Sequence, residues 1–291
     1  MPLKQAILIT AYKDFPQLER LTSEFDERFN IYIHIDKKSS LTSIERNVFL
    51  RNGNIKYLGQ DYRVNWGGLN HLRAYLQLVQ VALKNLDNQY FHLITGQDFP
   101  IQSNSYFDRY LDGKQDHMSA FTMPAAGWKN GGMDRLKYYQ FYDLFNARKS
   151  TLWISRFRRL QINLGFKRKI PAYLGQLYGG NTYWSLSRST LKYVVDFTKK
   201  NPRFFNRFRH TFCAEEIYFQ TIIMNSTYRE NVITDDLRYM DWKSGRGGFP
   251  AFLDPTDFEE IINSNKLFVR KLDMNANSLF EMLSSHRKNN P

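Results

Sequence analysis

Residues 213–226, Cys-Ala-Glu-Glu-Ile-Tyr-Phe-Gln-Thr-Ile-Ile-Met-Asn-Ser, set two adjacent carboxylates at the head of an apolar segment. Read as a helix, the segment puts Glu216 on one face with Phe219, Gln220 and Ile223, a face that turns toward the protein. A carboxylate facing inward is costly in its charged form, so it needs either a partner or a use. The competing reading is that Glu215 and Glu216 are ordinary acidic residues of a first helical turn, where they meet the positive end of the helix dipole.

Two further carboxylates stand where chemistry is usually placed. Asp36 follows the apolar run at 30–35, and Asp98 follows the run at 90–94. If those runs are strands of a parallel sheet, both aspartates lie at carboxyl ends, where such sheets bind ligands. A turn-initiating aspartate explains each of them as well. Cationic candidates lie in the last third: Arg246 in the glycine-rich stretch Trp-Lys-Ser-Gly-Arg-Gly-Gly-Phe-Pro at 242–250, and Arg270 with Lys271. Ordinary surface charge is the alternative for all three.

Several chemistries leave no trace. There is no G-x-x-x-x-G-K-[ST] loop, no G-x-G-x-x-G fingerprint and no G-x-S-x-G elbow. The six histidines are scattered and Cys213 is the single cysteine, so no zinc-ligand spacing appears. Nor does any Asp-x-Asp follow a strand, the usual means of holding a divalent cation on a nucleotide diphosphate. If such a diphosphate binds here, cationic side chains must neutralise it.

The elements that would position these residues alternate between strand and helix. Strands are expected at 5–11, 30–35, 55–57 and 90–94, with helices from 14 to about 28 and from 68 to 86. Asp14 can cap the first helix, and Pro16 fits its first turn. A strand at 181–187 and a helix at 188–199 follow a less regular stretch, 123–180, rich in glycine and aromatics. This order predicts an α/β fold with a mostly parallel central sheet flanked by helices. We read 1–291 as one domain: a nucleotide-binding half over about 1–122, an insertion over 123–180 that shapes an acceptor cleft, and a catalytic and diphosphate-binding half over 181–291. The last residues, Lys-Asn-Asn-Pro, are expected to fray.

The chain has 291 residues and a formal net charge of +13, which calls for an anionic partner: nucleic acid, a phosphorylated ligand or a membrane surface. Residues 148–169 carry Arg148, Lys149, Arg156, Arg158, Arg159, Lys167, Arg168 and Lys169 among Trp153, Phe157, Leu160 and Phe166. This basic amphipathic stretch suits anionic head groups or an anionic acceptor, and a solvated helix face accounts for it equally. The single cysteine, the absence of a signal-peptide pattern and the lack of a membrane-spanning apolar run fit a cytoplasmic protein. Contact with the inner face of the membrane is compatible with all of these.

Seven segments, in order, give the chain a familiar look. They are Ile-His-Ile-Asp-Lys-Lys-Ser at 33–39, Val-Asn-Trp-Gly-Gly at 64–68, and His-Leu-Ile-Thr-Gly-Gln-Asp-Phe-Pro-Ile at 92–101. Gly-Gly-Asn-Thr-Tyr-Trp-Ser-Leu-Ser-Arg at 179–188 and Ala-Glu-Glu-Ile-Tyr-Phe-Gln-Thr at 214–221 follow. Leu-Arg-Tyr-Met-Asp-Trp at 237–242 and Leu-Phe-Val-Arg-Lys-Leu-Asp at 267–273 complete the set. Together they resemble the branching β-1,6-N-acetylglucosaminyltransferases, the core-2/I-branching enzyme family that also contains the peptide O-xylosyltransferases. The resemblance implies a glycosyltransferase A-type fold, a UDP-sugar donor, inversion at the anomeric carbon and no metal cofactor.

Residue by residue, the resemblance makes Glu216 the catalytic base and Lys271 the lysine that holds the diphosphate. Arg246 is the match for the second diphosphate-binding cation, and Arg270 lies beside Lys271. Asp36 matches the aspartate near the uracil; Trp66, Gln97 and Asp98 match residues of the donor and acceptor cleft. Glu215 stands where the family has aspartate, and Tyr239 and Trp242 could offer an aromatic platform to a sugar. The animal members have a membrane anchor and several disulfides, and this chain resembles a bacterial relative without them. The implied partners are a UDP-sugar and a glycan or lipid-linked saccharide of a surface polysaccharide, with N-acetylglucosamine or xylose as the leading donor sugars and 148–169 against an anionic membrane. The rival reading is a basic protein that binds nucleic acid or a membrane surface without catalysis; nucleic acid is not the expected partner, because no recognised module appears.

Overall fold

A computed structural model describes residues 3–290, apart from the side chains of residues 147–149 and 151, so Arg148 and Lys149 lie outside the described side chains. Its centre is a seven-stranded sheet. In chain order the strands of the molecule are β1 (Lys4–Ala11), β2 (Phe29–Ile35), β3 (Ile55–Gly59), β4 (Asn88–Thr95), β5 (Asp98–Pro100) and β6 (Asp116–Met118). They continue as β7 (Phe121–Thr122), β8 (Tyr178–Gly179), β9 (Trp184–Ser187), β10 (Val232–Ile233), β11 (Arg238–Met240) and β12 (Phe268–Arg270). The central sheet runs β10-β6-β9-β4-β1-β2-β3. Only β9 opposes its neighbours β4 and β6; the other pairings are parallel. The expected mostly parallel α/β sheet is what the chain forms.

Both faces of the sheet are covered, which explains why its central strands read as unbroken apolar runs. Ala6 and Leu8 of β1 enter one core with Leu72, Val79 and Trp184, while Ile7 and Ile9 enter the other with Leu18, Leu21 and Phe280. This is the two-residue alternation of a strand, with apolar residues on each side.

The helix expected from 14 to 28 spans Phe15–Ser23. Its last hydroxyls turn back, Thr22 onto the Glu19 carbonyl and Ser23 onto that of Arg20, offering the backbone an exit. Asp14 does not cap it with its side chain; it has φ 54° and accepts Leu18 N–H through its carbonyl. The helix expected to reach residue 86 covers Leu69–Ala82. Arg188 caps its end from a distance by donating to the carbonyls of Leu83, Asn85 and Asn88.

Other elements were not expected. A helix at Ser43–Arg51 starts from a capping box between Thr42 and Glu45. Of the C-terminal residues expected to fray, Lys288 and Asn289 end a helix, Asn277–Asn289, anchored where Arg287 donates to Glu24, and Pro291 lies outside the described residues. Most important for the site, residues 213–226 do not form one helix. A 3₁₀ turn at Ala214–Glu216 is separated from the helix Tyr218–Met224 by Ile217, at φ −129° and ψ −33°.

A small sheet, β11-β12-β5, lies at the carboxyl end of β4. Its β12–β5 pairing is antiparallel and aligns Arg270 with Asp98. Within 123–180, a helix at Ala147–Asn163 dominates.

Candidate active site

The turn that carries the two glutamates is set by its surroundings. Cys213 takes φ 47°, and its N–H donates to the Gly67 carbonyl at 3.0 Å. The Glu216 carbonyl accepts Gly180 N–H at 2.9 Å. Glycine is needed at 180, because a Cβ there would lie 1.9 Å from the Ser119 carbonyl oxygen. Held at both ends, the turn aims its carboxylates at different partners. Neither caps the helix that follows, and the break at Ile217 removes Glu216 from the helical face expected for it with Phe219, Gln220 and Ile223.

Glu215 is 2% exposed. Its Oε1 lies 3.1 Å from His71 Nδ1, and His71 Nε2 lies 2.7 Å from the Tyr75 hydroxyl. The carboxylate can only accept, so Nδ1 carries the proton and Nε2 is free to accept from Tyr75. Burial pushes the Tyr75 phenol well up, and the Glu215 charge adds to that. The Thr10 side chain at the end of β1 acts on that phenol in the opposite direction. Glu215 Oε2 is buried with no hydrogen-bond partner among the described residues.

Glu216 keeps 26% of its side chain exposed and accepts from Arg135 Nη1 through Oε2. Burial raises its pKa above the ordinary carboxylate value; the Arg135 charge opposes that rise and Glu215 reinforces it. Arg135 is itself fixed by aromatic faces, its guanidinium carbon 3.6 Å from the Trp128 ring centroid and 5.3 Å from that of Phe212. Its carbonyl accepts Phe212 N–H at 3.3 Å.

The aromatic surroundings extend to Trp66. It is 60% exposed and meets Phe212 edge to face at 5.0 Å and Tyr142 at 6.3 Å. A Cβ at Gly67 would come within 2.5 Å of Phe212, so that glycine lets the Trp66 segment close against the glutamate turn. Through Phe212 the exposed indole is tied to Arg135 and so to the carboxylate that Arg135 holds.

On the other side of the strand ends, Asp98 is fully buried. Its Oδ2 accepts Thr95 N–H, and its Oδ1 lies 3.2 Å from Arg270 Nη1, which also donates to the Thr95 hydroxyl. Arg270 lies 5.1 Å from the Tyr183 ring. Thr95 of β4 is the register partner of Thr10 of β1. Two polar groups thus stand at neighbouring strand ends: Glu215, His71 and Tyr75 near the end of β1, and Thr95, Arg270 and Asp98 at the end of β4. Gln97 is buried, exchanging backbone contact with Leu272, whose N–H donates to the Gln97 carbonyl at 2.9 Å.

Lys271 holds its ammonium 3.9 Å from the Phe252 ring centroid. The glycine-rich loop wraps it: Phe252 N–H donates to the Arg246 carbonyl and Leu253 N–H to the Lys271 carbonyl. Arg246 is placed differently from a free phosphate ligand. Asp254 takes its Nη1 at 2.6 Å and Asp257 its Nη2 at 2.5 Å, with Asp241 at 3.8 Å. These three carboxylates already meet its charge. Asp36 also has structural work: its Oδ1 accepts the N–H groups of Lys38 and Val64, tying the end of β2 to the Trp66 segment. Trp242 is exposed on the glycine-rich loop, and Tyr239 is half-buried on β11, its phenol raised by burial and by Glu260.

Sequence reasoning missed Arg135, Trp128, His71, Tyr75 and Thr95. The i, i+4 spacing of His71 and Tyr75 on one helix was a usable signal. Arg135 had none, being one basic residue among many in the insertion. Among the described residues, no group of three or more His, Cys, Asp or Glu side chains is placed to hold a metal ion. No described helix is long and apolar enough to cross a membrane.

The family model described as Core-2/I-Branching enzyme matches residues 6–262. Among curated proteins, the chain is 25% identical over 312 residues to xylosyltransferase 2 of Canis lupus familiaris, covering 98% of this chain and 34% of the relative. It is 24% identical over 254 residues to xylosyltransferase 1 of Mus musculus, covering 83% of this chain and 24% of the relative. The chain thus spans about a quarter to a third of the length of these relatives. Among solved structures, a glycosyltransferase involved in glycosylation of the major capsid of PBCV-1 aligns over 97% of this chain and 99% of its own, at TM-score 0.38 and 10% identity. Core-mannan synthase A from Aspergillus fumigatus aligns over 79% and 72%, also at TM-score 0.38 and 10% identity.

Proposed function

The chain belongs to the core-2/I-branching enzyme family, and from that membership we propose that it is an inverting glycosyltransferase acting on a UDP-sugar. N-acetylglucosamine or xylose is the sugar transferred, and an acceptor hydroxyl of a glycan or lipid-linked saccharide receives it to form a β-glycoside. The observation that carries this reading is Glu216: a quarter-exposed carboxylate with a raised pKa, held by Arg135, whose guanidinium faces Phe212, the ring that the exposed indole of Trp66 meets.

In the proposed reaction the acceptor hydroxyl gives its proton to Glu216, and its oxygen attacks C1 of the α-linked donor from the opposite face. The bond from C1 to the diphosphate oxygen breaks, and its electron pair leaves with UDP. Arg135 occupies Oε2 of Glu216, so Oε1 is the oxygen for the acceptor. A base whose pKa is raised toward working pH combines availability with driving force. Lys271 and Arg270 stabilise the charge that grows on the diphosphate, acting as fixed electrostatic donors in place of a metal. The missing Asp-x-Asp supports that division of labour. Arg246, with its charge already met by Asp254 and Asp257, serves the diphosphate by holding the loop that encloses Lys271.

A screen for UDP release across UDP-sugars, with acceptor present and with or without EDTA, tests the reading. We expect release from one or a few donors, undiminished in EDTA. Activity lost in EDTA and restored by Mn²⁺ would overturn the metal-free account. UDP binding without release from any donor would instead favour a protein that binds without catalysis.

A further inference from the structure

The helix Ala147–Asn163 and the strand-free segment after it form the most unusual surface of the molecule. Eight large apolar side chains between residues 144 and 166 are exposed, with Leu152 at 73% and Leu164 at 72%. The inward face of the helix is fixed by its contacts: Ile154 is buried, Arg158 donates to Asp134, and the Gln161 side chain bonds Tyr139. At 3.6 residues per turn, Leu152, Trp153, Arg156, Arg159 and Leu160 then point away from the body. Arg156 lies over the Trp153 ring at 5.3 Å. An open apolar groove of about 350 Å³ runs beside the helix, lined by Phe141, Phe157, Leu160, Leu164 and Phe166 among others.

Charge decides what this surface meets. No Asp or Glu occurs anywhere from 144 to 195, while Arg156, Arg159, Lys167 and Lys169 are exposed within or just after the helix. A second copy of the chain would bring two uncompensated positive faces together. Nucleic acid would satisfy the charge and could stack on Trp153, but it would leave the aliphatic side chains of Leu152, Leu160 and Leu164 in water. An anionic lipid bilayer answers both properties: aliphatic and indole side chains enter the acyl boundary while the basic ones reach head groups.

We infer that this face docks on the surface of an anionic membrane, with the groove open to lipid hydrocarbon chains. The inference stands on the surface alone and does not depend on the proposed transfer reaction. On the protein side, docking places the aromatic segment 139–142 between bilayer and site, since Phe141 packs on Phe157 and Tyr142 packs on Phe212 beside Arg135.

Co-sedimentation of the whole chain with vesicles tests it, using phosphatidylcholine alone and phosphatidylcholine mixed with phosphatidylglycerol, at low and high salt. Partition onto the mixed vesicles, weakened by salt, is expected. Each charge removed in R156Q/R159Q/K167Q should weaken partition about fivefold. L152S/L160S/L164S should abolish it, while thermal unfolding and UDP release with a soluble acceptor stay at wild-type level. The inference is overturned by no partition, by equal partition onto neutral vesicles that ignores the charge substitutions, or by loss of self-association or RNA binding in the apolar variant with vesicle binding intact. Absent UDP release in every variant and the parent would count against the transferase reading alone.

Discussion

Arg135 and Glu216 form an ion pair in which the cation, stacked on Trp128 at 3.6 Å, is less exposed than the carboxylate it holds. Burial raises the Glu216 pKa and the Arg135 charge opposes that rise, so the two act on this carboxylate in opposite directions. Its neighbour Glu215 faces His71 and takes no share of Arg135 that the structure records.

Glu216→Gln keeps the shape of the side chain and its contact with Arg135 but cannot accept the acceptor's proton. Turnover should fall by at least about 100-fold, the lower range for general-base catalysis. UDP affinity, measured by calorimetry, should stay close to the parent value. Full turnover in this variant would remove Glu216 from the reaction.

Arg135→Gln removes the charge that holds the Glu216 pKa down. The acid limb of the kcat/KM–pH profile should move to higher pH, while the activity plateau above it changes less. A limb that stays in place would mean that another group sets it.

Stability should respond in a defined direction. Because the folded pKa of Glu216 lies above its unfolded value, near 4.3 for glutamate, its contribution is fully present below that value and is lost as pH rises through the folded value. Glu216→Gln has no such loss. Its urea midpoint should therefore gain on the parent as pH rises from acid toward neutral, and an unchanged difference between the two would contradict the raised pKa.

Asp98 and Arg270 should behave as a unit. Asp98 is fully buried, so Arg270→Met leaves its carboxylate without its ion-pair partner and should cost about 3–5 kcal/mol in urea unfolding. Adding Asp98→Asn should recover a substantial part, since no buried charge is then stranded. Donor binding should not recover in the double variant, which separates the fold from the cation's proposed work on the diphosphate.

The parts of this molecule legible in its sequence are those with local causes. β1, β2 and β4 announce themselves because burial on both faces demands continuous apolar residues. Asp98 could be placed at a strand end by the same reasoning. The short strands β5 to β8 and β10 to β12 carry no pattern of their own, as each exists through a distant partner. The glutamate turn was misread as helix because the constraints that break it, Gly67 and Gly180, lie far away in the chain. Arg246 looked available because its loop is glycine-rich, and only folding brings Asp241, Asp254 and Asp257 around it.

The antiparallel pairing of β12 with β5 has a consequence for the order in which the protein comes into being. Every strand of the seven-stranded sheet has been made by residue 233, yet the cations at 270 and 271 arrive later. A chain growing from its N-terminus can therefore complete its scaffold while the strand ends beyond β4 still lack Arg270 and Lys271. Asp98 has no ion-pair partner until Arg270 is made, so the proposed diphosphate site would be completed only after the scaffold.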